Sequence, residues 1–158
     1  MKKKKQSEEN GKSSGGVDPK SKSDRDYFRV DAHLHLISGQ VPHDERANIR
    51  SKVLPSTSVS TWSPETLKRV DISGAGIAFE SDEFYKLGDI VGLILMFKND
   101  WGEPILVYGE VVRVEPYRRY CRVALKYVAM DERIRSMIVR FVSEREREII
   151  SERRVGWL

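Results

Sequence analysis

The sequence predicts a mainly β domain, an antiparallel barrel or sandwich with a helix at its C-terminal end. Three observations carry this reading. Along residues 28–36, Phe28, Val30, Ala32, Leu34 and Leu36 alternate with Arg29, Asp31, His33 and His35, the period of two that marks a half-buried strand. Further apolar runs rich in Val, Ile and Tyr then succeed one another across turn residues with no helical stretch between them, as antiparallel neighbours do. From Asp131 onward the apolar spacing lengthens to three and four residues, the pattern of a helix with one apolar face.

Taken in order, residues 1–24 are Lys, Ser, Gly and Glu with a single valine, too polar to bury surface that offsets the entropy of ordering, and read as a disordered basic tail. In the first strand Arg29 points away from the core. Residues 38–64 are polar and turn-rich, with a short strand expected over 49–54. A second alternation follows, Val70 and Ile72 on one face and Asp71 and Ser73 on the other. Strands are next expected over 90–97, 105–114 and 121–128. Asp131 is suited to cap a helix whose Ile134, Met137, Ile138, Phe141 and Val142 form one docking face. Residues 143–154 are mostly Glu and Arg, Ile149 and Ile150 aside, and are expected to project into solvent or to meet a protein partner. The organisation that results is a tail over 1–24, a barrel domain with the start of the helix over 25–142, and a charged helical extension over 143–158.

Composition narrows the function. A chain of 158 residues, 39% hydrophobic and 33% charged, suits one globular domain. Its longest apolar stretch, residues 90–97, falls far short of the roughly 20 residues that cross a bilayer, and no apolar segment follows the N-terminal lysines, so neither membrane insertion nor secretion is expected and the cytoplasm is the default compartment. The single cysteine, Cys121, fits a reducing environment and reads as a core residue. The formal charge of +4 is concentrated in the tail, where seven lysines face four acids; the remainder holds 21 basic and 20 acidic residues and does not favour a nucleic-acid face. Gly11-Lys12-Ser13 lacks the first glycine of a phosphate-binding loop, since Gln6 stands in its place. Asp31, His33 and His35 resemble the Asp-x-His-x-His metal signature of amidohydrolases, but that chemistry needs a barrel of about 250 residues and further histidines, where only His43 remains. The two histidines read as polar-face residues of a strand. No nucleophile paired with a base emerges, so no catalysis and no cofactor are expected.

Two clusters stand out. In Arg25-Asp26-Tyr27-Phe28-Arg29, one arginine lies on the arm leading into the first strand and the other on the strand's outer face, so the pair suits a doubly charged phosphate ligand. Guanidinium groups also read O6 and N7 of guanine and stack on its ring. In Asp71-Ile72-Ser73-Gly74-Ala75-Gly76, Asp71 and Ser73 share a face and are equipped to meet a base edge, while Gly76 allows close backbone approach or a positive φ.

The order and separation of these clusters resemble the PilZ family, whose members carry Arg-x-x-x-Arg followed by Asp/Asn-x-Ser-x-x-Gly. Arg25 and Arg29 match the first motif; Asp71, Ser73 and Gly76 match the second. The resemblance runs from about Arg25 to Val142 and implies a six-stranded antiparallel barrel with a C-terminal helix. It also implies a receptor for cyclic di-GMP that acts by conformational change on motility, biofilm or exopolysaccharide output. On that similarity, Arg25 and Arg29 hold phosphates and guanine, while Asp71, Ser73 and Gly76 line the other guanine. The chain departs from the pattern in its long inter-motif linker, in Ala75 where a second glycine is common, and in Asp24 where many members have another arginine. Asp24 would repel a second ligand copy, so one ligand per chain is expected. A different class of function, a small barrel binding single-stranded RNA, would use Tyr117, Arg118, Arg119 and Tyr120.

Overall fold

In a computed structural model the chain is described over residues 27–42, 46, 59, 61–97 and 104–156. The two alternating segments and the three apolar runs become strands, joined by one over 76–81 that neither pattern predicted: among these residues, β1 (Val30–Gln40), β2 (Thr66–Ile72), β3 (Gly76–Ser81), β4 (Ile90–Met96), β5 (Ile105–Pro116) and β6 (Cys121–Val128) precede a helix, α1 (Glu132–Gly156). The six strands pair antiparallel throughout in the order β1-β2-β3-β6-β5-β4 and close into a barrel. Closure leaves no unpaired edge in the sheet. The tail, Arg25 and the strand expected over 49–54 lie outside the described residues.

Alternation decides which side chains fill the barrel. Val30, Ala32, Leu34 and Leu36 of β1 point inward with Val70, Ile72, Phe79, Val123 and Leu125, while Asp31 and His33 face out. Phe28 does not continue the series. It precedes the strand and is 71% exposed, because β1 begins to pair only at Val30. At its other end β1 runs further than the side-chain pattern suggests, through Ser38-Gly39-Gln40. Its first half pairs with β2 and its second half with β4, and this switch of neighbour brings the sheet round on itself. β4 is apolar on both faces because both are covered: Val91, Leu93 and Leu95 enter the barrel, and Ile90 packs outside it with Val41, Val59 and Tyr108.

α1 starts where expected, with Asp131 Oδ1 accepting from the Arg133 N–H at 2.8 Å. Ile138 and Val142 are buried on the core cluster, and the Phe141 ring meets Phe97 at 4.5 Å between centroids. The helix is continuous through residue 143, where the charged extension was expected to begin. Its second half is also tied back to the barrel: Ile149 packs on the core cluster, and Arg145 Nε donates to the Asp31 carbonyl at 3.1 Å. Ile150 remains exposed. No helix among the described residues is long and apolar enough to cross a membrane.

Candidate ligand site

Four of the five residues singled out in the two motifs, Arg29, Asp71, Ser73 and Gly76, line one open recess of about 280 Å³ on the outer face of the barrel. Arg25 lies outside the described residues. Pairing builds the recess from four adjacent strands: Asp71 on β2 stands opposite Ala78 on β3, Ala78 opposite Ala124 on β6, and Ala124 opposite Arg113 on β5. On its other side Asp71 stands opposite Asp31 of β1, a like-charge pair that would be unfavourable alone. Arg69 relieves it. Its Nη2 donates to Asp31 Oδ2 at 2.8 Å, and that hydrogen bond raises the Arg69 pKa above its ordinary value. Among the described residues nothing pairs with the Asp71 carboxylate, which leaves it available as an acceptor.

The turn after β2 is shaped by Ser73. Its Oγ accepts from the N–H groups of Ala75 at 3.1 Å and Gly76 at 3.2 Å, and its own N–H donates to the Gly76 carbonyl at 2.9 Å. Ser73 is 4% exposed, so its oxygen organises the turn from within, in contrast to the base-edge contact expected from the strand pattern. Of the two expectations for Gly76, close approach is the one realised. A Cβ there would run into the Leu125 carbonyl oxygen of β6, and its φ is not positive.

The turn is held from behind by the helix. Arg135 Nη1 of α1 donates to the Gly74 carbonyl at 2.6 Å, and its guanidinium lies 5.6 Å from the ring centroid of Tyr27, two residues before Arg29. The Tyr27 ring rests against the Cα of Gly74, where a Cβ would clash with it. The Tyr127 N–H donates to the Ala75 carbonyl at 3.0 Å. The Tyr127 hydroxyl is buried with no partner among the described residues, and burial pushes its pKa up.

Sequence reasoning missed Val112, Arg113, Ala124, Leu125 and Lys126, which line the recess from β5 and β6. Lys126 sits in register between Gly76 and Glu110. Arg113 reaches the recess through a β-bulge: the pairing of β5 with β6 shifts between Val111 and Arg113, so Val111 faces the core while Val112 and Arg113 face out and Val114 turns back to the core. Its trace in the sequence is the pair Val111-Val112, two adjacent apolar residues where alternation would place a polar one second. Three cations, Arg29, Arg113 and Lys126, thus surround one carboxylate and a floor of alanine and glycine, a lining suited to an anionic ligand with a flat apolar part.

The other residues considered for chemistry lie elsewhere. His33 and His35 are on the outer face of β1, where His35 Nδ1 meets Glu65 Oε1 at 3.2 Å. Tyr117 and Tyr120 form the β5–β6 hairpin and stack on each other at 4.8 Å, and Glu115 both accepts from the Tyr117 hydroxyl and raises its pKa. Cys121 is buried in β6.

A family model described as the PilZ domain matches residues 24–144. Among solved structures, the chain is similar to the Bacillus subtilis inhibitor of motility MotI/DgrA, at 19% identity and a TM-score of 0.54, over 80% of this chain and 52% of that one. The chain therefore spans about half the length of the Bacillus protein. It is also similar to a tetrameric PilZ-domain protein of Xanthomonas campestris that self-assembles through a helical bundle, at 15% identity and a TM-score of 0.55, over 80% of this chain and 91% of that one. Among curated proteins none matches the sequence.

Proposed function

Since the chain belongs to the PilZ domain family, a family of non-enzymatic cyclic di-GMP receptor domains, we propose that it binds cyclic di-GMP in the recess lined by Arg29, Asp71, Ser73 and Gly76 and signals by a change of shape. The observation that carries this is convergence: residues from two motifs more than 40 positions apart in sequence share one recess beside two further cations. Arg25 and Arg29 supply forks for phosphate and guanine. The Asp71 carboxylate accepts from the N–H groups of a guanine edge, Ser73 holds the turn that presents it, and Gly76 keeps β3 close to β6.

The same turn hangs from α1 through Arg135 and Gly74, so a ligand that shifts it acts on the helix. We assign residues 25–142 to reception and the charged extension over 143–158 to a downstream protein partner. Motility, biofilm and exopolysaccharide synthesis, in the cytoplasm, are the outputs this reading favours, and the motility inhibitor of similar fold supports the first.

A calorimetric titration of the full chain tests the proposal. Cyclic di-GMP is expected to bind in the micromolar range, at about 8 kcal/mol, in preference to GTP, cyclic GMP and cyclic di-AMP. Arg25→Ala and Arg29→Ala are each expected to weaken binding on the order of 30-fold, with His33→Ala unchanged. Absence of binding at ~100 µM ligand, well above that range, overturns the receptor reading.

A further inference from the structure

We infer that Arg113 is a specificity-determining residue of this site: with Asp71 it brackets one guanine lying flat on Ala78 and Ala124. The inference rests on the cyclic di-GMP reading and adds to it a residue that belongs to neither motif. It begins from the row of register partners Asp71–Ala78–Ala124–Arg113, which crosses β2, β3, β6 and β5 on the outer face. Only two methyl groups stand between the carboxylate and the guanidinium, so the row is a flat apolar bench with a hydrogen-bond acceptor at one end and a fork of donors at the other.

Three strand spacings separate the backbones of Asp71 and Arg113, roughly 14 Å. That accommodates a purine ring with a hydrogen bond of about 3 Å at each edge. Guanine matches the two ends. Its N1–H and N2 amino group donate, as a carboxylate requires, and its O6 and N7 accept, as a guanidinium fork requires. Adenine matches neither end as well, because it presents a lone pair at N1 and an amino group at N6.

The backbone is built to put Arg113 there. In a regular strand Arg113 would share the inward face of Val107 and Val111; the bulge at Val112 reverses the alternation and turns it out. Among the described residues its guanidinium is engaged by Glu115, at 3.4 Å, in a pair with both side chains more than two-fifths exposed, an association weak enough for a ligand to displace. Lys126, a point charge one row away, lacks the planar fork and is left to the phosphates.

The experiment is calorimetric titration of the full chain with cyclic di-GMP for wild type, Arg113→Ala and Arg113→Lys, with melting temperatures recorded to show that this exposed position leaves the fold intact. Arg113→Ala is expected to weaken binding on the order of 30-fold, and Arg113→Lys to recover only a minor part because it cannot contact O6 and N7 together. Wild-type affinity in Arg113→Ala, within about twofold, overturns the inference while leaving the receptor reading standing. Wild-type affinity in Arg113→Lys overturns it too, since charge alone would then suffice. A wild type that binds no cyclic di-GMP overturns the receptor reading and this inference with it.

Discussion

Replacing Arg135 by alanine tests whether the ligand turn and the helix form one mechanical unit. Arg135 is 22% exposed and makes three contacts of unequal value. Its bond of 2.6 Å to the Gly74 carbonyl is charge-assisted and partly buried, worth about 1.5–3 kcal/mol. Its position over the Tyr27 ring adds about 0.5–1 kcal/mol. Its pair with Glu132, whose side chain is 81% exposed, contributes close to nothing. Arg135→Ala should therefore lose about 2–4 kcal/mol, or roughly 10 °C in Tm for a domain of this size. Because Gly74 lies between Ser73 and Gly76 and packs on Tyr27, the released turn should also hold Asp71 and Arg29 less firmly, weakening cyclic di-GMP by about tenfold, or 1.4 kcal/mol. Urea denaturation monitored by circular dichroism gives the first quantity and calorimetry the second. Arg135→Lys, which keeps one charged bond without the planar fork, should fall between. A variant with Tm within about 2 °C of wild type and unchanged affinity refutes the reasoning. Lost stability with unchanged affinity would confine α1 to a structural role.

Gly76→Ala should cost at least about 2 kcal/mol, since the new methyl group must push β3 away from the Leu125 carbonyl; a cost below about 0.5 kcal/mol, the range of ordinary surface changes, in urea denaturation would contradict the close approach. Tyr127→Phe removes a buried hydroxyl that has no partner among the described residues and should stabilise the fold by about 1 kcal/mol. Burial holds the Tyr127 phenol above its ordinary value, so its protonated form favours folding fully below about pH 10 and loses that contribution as pH rises through the folded value; the variant should lose less stability than wild type between about pH 9 and 11. Ligand number rests on Asp24: wild type should titrate with one cyclic di-GMP per chain, because an acid beside Arg25 opposes the four phosphate charges of a stacked pair, and Asp24→Arg should move the end point toward two. A wild-type end point near two would overturn that argument.

How far the sequence could be read followed the range of the forces involved. β1, β4 and β6 are visible because alternation, or a bounded apolar run, is a property of neighbouring residues, and α1 because its apolar spacing and the Asp131 cap are equally local. The two motifs are visible for the same reason. Phe28 misled because alternation says which face a residue would occupy in a strand and not where the strand begins; pairing with β2 starts it at Val30. Ser38-Gly39-Gln40 reads as a turn by composition, yet partners across the barrel draw it into β1.

By itself, the sequence determined the β class, the C-terminal helix, the family and the residue types offered to a ligand, since each is written in side-chain chemistry and spacing along the chain. Only the tertiary structure decided that Ser73 spends its oxygen inside the turn, that Gly76 is needed for β6 to pass close by, that Arg135 suspends the turn from the helix, and that a bulge brings Arg113 into line with Asp71. These four features depend on which backbone lies beside which. Strand register and bulges are set by pairing between segments distant in the chain, and a shift of one residue there moves a side chain to the opposite face of the sheet.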